Sequence, residues 1–128
     1  MKTALVVASS PISRIVISRT IERCYIKAIA VTPEVAQREF MHRDPGLVII
    51  DTAAAPDLLH ALFDGIAQRR RTAFPALPRV VLICGPGEAE RLDAYRYLID
   101  TVAGKPITPD ILQPIIDRVI KQHTQPKP

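Results

Sequence analysis

Tryptophan is absent, and the 128 residues include only three phenylalanines and three tyrosines. Surfaces that track nucleic acid stack bases on aromatic rings set among basic residues, and no such interleaving occurs here. The net charge of +4 and pI near 9.4 raise the question of a nucleic-acid partner. The basic residues are scattered, however, and the dense run Arg69-Arg70-Arg71 reads as a solvated helix end favoured by the C-terminal dipole. A nucleic-acid partner is therefore not expected. Cysteine is scarce too: Cys24 and Cys84 stand far apart in apolar contexts, without metal or dithiol spacing. They read as two buried thiols in a reducing compartment. His42, His60 and His123 have no convergent ligand spacing, so no metal centre is expected. No apolar run approaches the length of a membrane span. The opening stretch, Thr3 to Ala8, is too short for a signal sequence and runs straight into Ser9-Ser10-Pro11. A cytoplasmic location is the expectation.

What the sequence does contain is a regular alternation. Five short apolar runs stand out: Ala4 to Ala8, Ile26 to Val31, Leu47 to Ile50, Val80 to Cys84, and the weaker Asp100 to Ala103. The first, third and fourth are continuous and rich in Val and Ile, as in strands buried on both faces of a parallel sheet. Helical patterns fill the gaps. Ile12 to Cys24 carries Val16, Ile17, Thr20, Ile21 and Cys24 on one face. Pro33 to Arg43 follows Thr32 as N-cap. Asp57 to Arg70 lines up Leu58, Leu59, Leu62, Phe63 and Ile66. Glu88 to Leu98 is a fourth helix. A fifth opens at Thr108-Pro109-Asp110 and buries Ile111, Leu112, Ile115, Ile116, Val119 and Ile120, with Pro114 expected to kink it or reset its start. The pattern is α/β, a single (βα)5 doubly wound parallel sheet in one domain over residues 1–122, with a disordered polar tail at 123–128. Sites in such folds lie at the carboxyl ends of the strands, which directs attention to Ser9 and Ser10, Asp51 and Thr52, Cys84 to Gly87, and Gly104 to Pro106.

Those strand ends resemble the receiver domain of two-component response regulators, and the likeness extends to Gln122. Pro45-Gly-Leu-Val-Ile-Ile-Asp51 is similar to the strand that ends in the phospho-accepting aspartate. Gly104-Lys105-Pro106 is similar to the Lys-Pro pair after the fifth strand, where the family usually has a cis bond. Ala4 to Pro11 matches the first strand and its turn. The resemblance implies a flavodoxin-like, receiver-like three-layer α/β/α fold. In the family, two acidic residues after the first strand join the aspartate in holding Mg²⁺. The lysine pairs with phosphoryl oxygens, a Ser or Thr ends the fourth strand, and an aromatic residue changes rotamer. An anionic carboxylate attacking an anionic phosphate needs that fixed positive charge.

The chain departs from this pattern. The acid pair falls on Ala8 and Ser9, and Ser10 follows, so the loop carries no carboxylate for Mg²⁺. The switch positions fall on Cys84 and Val102. The run Thr52-Ala53-Ala54-Ala55-Pro56 is one residue longer than the usual loop. Asp51, equivalent to the phospho-acceptor, is expected to pair with Lys105 beside Pro106, in a pocket with Ala8, Ser9, Ser10, Thr52, Ala53 and Cys84. Neither catalytic residues nor a resident cofactor are expected, Mg²⁺ entering only if Asp51 still accepts phosphate. Ile12 and Ile15 fall outside the core face of the first helix, next to Arg19, as a docking patch. By resemblance the partner is a histidine kinase, a histidine phosphotransfer protein or another signalling protein. Arg91, Tyr95 and Tyr97 mark a candidate homodimer face. The reading is a degenerate receiver-like interaction module in two-component, phosphorelay signalling. Two rivals remain: a phosphorylatable receiver, and a small flavodoxin-like nucleotide or flavin binder, against which the glycine-free Ser9-Ser10-Pro11 loop counts.

Overall fold

The structure is a computed structural model and describes residues 2–53, 56–72 and 77–124. Strands β1 (Thr3–Val7), β2 (Lys27–Val31), β3 (Leu47–Asp51), β4 (Arg79–Cys84) and β5 (Thr101–Gly104) form one parallel sheet in the order β2-β1-β3-β4-β5. Between them run α1 (Pro11–Arg23), α2 (Pro33–Arg43), α3 (Pro56–Thr72) and a 3₁₀ segment (Ala89–Leu98), and α4 (Pro109–Thr124) follows β5. Successive strand residues face opposite layers, so the core divides in two. Leu5, Val7, Val48, Ile50, Val80 and Leu82 pack toward α2, α3 and the 3₁₀ segment. Ala4, Val6, Leu47, Ile49, Val81 and Ile83 pack toward α1 and α4. Burial on both faces is why β1, β3 and β4 read as unbroken apolar runs.

Several details differ from the sequence reading. The fourth helix is a 3₁₀ segment, kinked at Leu92. Leu92, Tyr95 and Leu98 explain it: residues three apart eclipse at three residues per turn, and all three pack into the core. Leu58 is 41% exposed and Ile111 48% exposed, each at the edge of its helix stripe, whereas Leu59 and Leu112 are fully buried. Helix α4 starts at Pro109 and runs on through Pro114 without a reset start. The carbonyl that Pro114 leaves without its helical donor belongs to Asp110, an exposed residue in the first turn. That helix includes residues 123 and 124; the rest of the expected tail lies outside the described residues.

Thr32 occupies the N-cap position of α2 without a side-chain capping bond; its hydroxyl bonds Glu34 instead. Cys24 is only half-buried, at the end of α1, while Cys84 is buried. The arginine run is more than a solvated helix end. Arg69 reaches Asp44 at 2.6 Å, and Arg70 ties the carbonyl of Pro78 (2.9 Å) and Asp100 (2.5 Å) to α3.

Neighbouring leucines on α3 test this packing. Leu59→Ala, in the core, is expected to cost about 2–5 kcal/mol, and Leu58→Ala less than about 1 kcal/mol, both read from urea denaturation midpoints.

Candidate functional site

Register brings the strand ends to one rim. Val7 lies beside Ile50, Asp51 beside Ile83, and Cys84 beside Gly104. The amide of Lys105 extends the ladder, donating to the carbonyl of Cys84 at 3.0 Å, and a cis bond joins Lys105 to Pro106. On the other side of the rim, Ser10 caps α1 by accepting from the Ser13 amide at 3.3 Å, with Pro11 in the first turn. Between these walls lies a cleft of about 550 Å³. Ser10, Asp51, Ala53, Lys105 and Pro106 line it together with apolar Ile12, Val16, Ile17, Ile83 and Ile107.

At its floor one ammonium serves two carboxylates. Lys105 Nζ stands 2.7 Å from Asp51 Oδ1 and 3.3 Å from Glu88 Oε2. Asp51 is buried, and its Oδ1 also accepts from the Ala53 amide at 3.0 Å. Glu88 Oε2 accepts from the Gly85 amide at 2.9 Å and the Thr52 hydroxyl at 2.5 Å. The Ile83 carbonyl is also 3.0 Å from that hydroxyl, but it already takes the Thr52 amide at 3.0 Å. The single hydroxyl proton therefore goes to the charged acceptor.

These contacts set the titration of the site. The Thr52 hydroxyl first, then the Gly85 amide, and Lys105 with them, outweigh desolvation and hold Glu88 down to about 2. Burial alone would lower Lys105, but its hydrogen bond and attraction to Asp51, followed by those to Glu88, win and raise it. Desolvation by burial pushes the Cys84 thiol up, with the nearby Glu88 charge acting in the same direction. Cys84 is thus a poor source of thiolate.

The residues do not fit a divalent cation. Ala8 is fully buried and Ser9 exposed. Their carbonyls accept from Arg14 Nη1 at 2.7 and 3.0 Å, and Arg14 itself lines a separate groove with Ile15, Arg19 and Glu22. Asp51 Oδ1 is already engaged by Lys105 and the Ala53 amide. Among the described residues no cluster of three or more His, Cys, Asp or Glu forms a metal site.

Of the expected site residues, Ser10, Asp51, Thr52, Ala53, Lys105 and Pro106 come together, with Ala8 and Cys84 buried behind them. Val102 does not: it is 52% exposed and lines a separate groove with Leu92 and Arg96. Residues 54 and 55 of the longer loop lie outside the described residues. Ile12 and Ile15 are 73% and 52% exposed, with exposed Arg19 beside them. On the candidate dimer face the half-buried Tyr95 ring stacks on Phe63 at 4.5 Å and its hydroxyl meets His60. Arg91 and Tyr97 remain exposed. The sequence reading missed Glu88 and Arg14. Arg14 stands four residues after Ser10, one helical turn on, and Glu88 follows a Gly-Pro-Gly turn; both spacings were signals.

The depressed Glu88 ionisation gives a pH signature. Ionised Glu88 supports the fold fully above its ordinary value of 4.5, and that support drains away as pH falls toward about 2. Glu88→Gln is expected to be less stable than wild type by a constant margin above pH 4.5. The margin should close between pH 4.5 and 2, as read by urea denaturation at stepped pH.

Solved structures supply the comparison. The chain is similar to NtrX from Brucella abortus, with 22% identity and a TM-score of 0.75 over 95% of this chain and 27% of that one. It is similar to a response regulator receiver domain protein from Clostridium thermocellum, with 18% identity and a TM-score of 0.73 over 96% and 97% of the two chains. It also matches a CheY-like response regulator receiver domain from Methylobacillus flagellatus, at 20% identity and a TM-score of 0.62 over 93% and 98%. No family model and no curated protein matches the chain. With strand order β2-β1-β3-β4-β5 and its charged residues gathered at the carboxyl rim, the chain has the fold of a response-regulator receiver domain.

Proposed function

We propose that the chain is a receiver-like protein-interaction module of two-component signalling that works without Mg²⁺-dependent phosphorylation. The observation that carries this reading is the engagement of Lys105 by both Asp51 and Glu88. A receiver needs its lysine to neutralise incoming phosphoryl oxygens. Here one positive charge already faces two negative ones, and a further anion meets net repulsion from that cluster. The loop after β1 adds no carboxylate, and its carbonyls are held by Arg14. Asp51 on this reading is a structural carboxylate that orients Lys105.

The interaction surface is the first turns of α1. Ile12 lines the cleft together with Pro106 and Ile107, and Ile15, one helical turn on, is exposed in the adjoining groove with Arg19. Exposed aliphatic side chains grouped beside a cleft mark docking surfaces more often than isolated ones do. The partner is the helical bundle of a histidine kinase or a histidine phosphotransfer protein. Its apolar ridge would lie on Ile12 and Ile15, and Arg19 would meet an acidic residue at the margin.

Two measurements test the proposal. Incubation with a small phosphodonor and Mg²⁺ is expected to leave the intact mass unchanged; a stoichiometric, base-labile adduct at Asp51 would establish the phosphorylatable rival. Purified kinase and phosphotransfer bundles from the same cell are expected to bind the wild-type chain. Ile12→Asp with Ile15→Asp should abolish that binding while leaving the melting temperature unmoved, and undiminished binding would remove α1 as the docking surface.

A further inference from the structure

Three donors of different chemistry converge on one oxygen. The Thr52 hydroxyl (2.5 Å), the Gly85 amide (2.9 Å) and the Lys105 ammonium (3.3 Å) all point at Glu88 Oε2. A hydroxyl, a backbone amide and a cation gathered at the end of a β-strand make a site for an oxyanion. Here the oxyanion is part of the chain.

The local backbone is built to deliver it. Gly85-Pro86-Gly87-Glu88 is a tight turn closed by the Glu88 amide on the Gly85 carbonyl at 3.2 Å. Pro86 occupies its second position. Gly87 takes φ +77°, the left-handed value that the third position of a type II turn demands. The turn doubles Glu88 back over the end of β4. Gly85 then lets the carboxylate lie against its backbone: a Cβ there would sit 3.0 Å from Glu88 Oε1 and 3.3 Å from Cδ.

We propose that Glu88 is a built-in ligand of this site: it fills the oxyanion position beside Asp51, shuts out external anions of the phosphate class, and holds the loop between β4 and the 3₁₀ segment in its anion-bound arrangement. That loop then stays fastened to β5, through Lys105, without any covalent event. The inference deepens that reading: it rests on the same engagement of Lys105 by Asp51 and Glu88, but not on the docking surface of α1. Failure of docking at α1 would leave it intact, and its own failure would leave docking intact.

The experiment is a titration of the full ¹⁵N-labelled chain with orthophosphate at constant ionic strength, read at the Gly85 and Thr52 amides. A plug that is open in fewer than about one molecule in ten weakens apparent affinity by that fraction. Glu88→Ala is therefore expected to bind phosphate at least about tenfold more tightly than wild type. Adding Lys105→Met to that variant should remove the binding. Equal affinity in wild type and Glu88→Ala, or no saturable binding by folded Glu88→Ala, would overturn the proposal. If Glu88→Ala does not fold, Glu88→Ser, which also vacates the oxyanion position, is read against the same threshold.

Discussion

Everything at the functional rim follows from one lysine that answers to two carboxylates. Lys105 is held by its backbone to Cys84 and by its ammonium to Asp51 and Glu88. A buried or half-buried carboxylate without a cation is costly, and a cation shared between two of them gains from both. That arrangement ties three segments together: the end of β3, the turn after β4 and the loop after β5.

The rest of the fold serves to hold that rim in register. A parallel sheet aligns all its carboxyl ends on one side, so residues far apart in sequence meet there by topology alone. The two apolar layers then lock the register, because a slip of one residue would exchange Leu5, Val7, Val48 and Ile50 with Ala4, Val6, Leu47 and Ile49. Arg70 and Arg79 anchor the opposite end of β4 and β5 through Asp100. Arg14 closes the first loop by taking the carbonyls of Ala8 and Ser9.

Long apolar periods were the most legible part of the sequence. The strands, α2 and the order of elements came from runs such as Leu47 to Ile50, where burial on both faces leaves an unmistakable pattern. Stripe edges were less legible, since Leu58 and Leu59 have the same hydrophobicity and differ only in which neighbour covers them. The 3₁₀ segment was misread as an α-helix because Leu92, Tyr95 and Leu98 fit the i, i+3 spacing of either helix until packing selects one. Tyr95 looked like a surface ring and proved to be a partner of Phe63 and His60.

The sequence by itself determined the (βα)5 alternation, the receiver-like strand ends, and the absence of an acid pair at Ala8 and Ser9. These are local facts: each is carried by residue types in adjacent positions. Only the tertiary structure decided the partners of the charged groups. Whether Lys105 faces one carboxylate or two depends on where a turn at Gly85 to Glu88 comes to rest against a strand that ends at Asp51. Such contacts join residues more than thirty positions apart, and long-range electrostatic pairing leaves no period in the chain from which to read it.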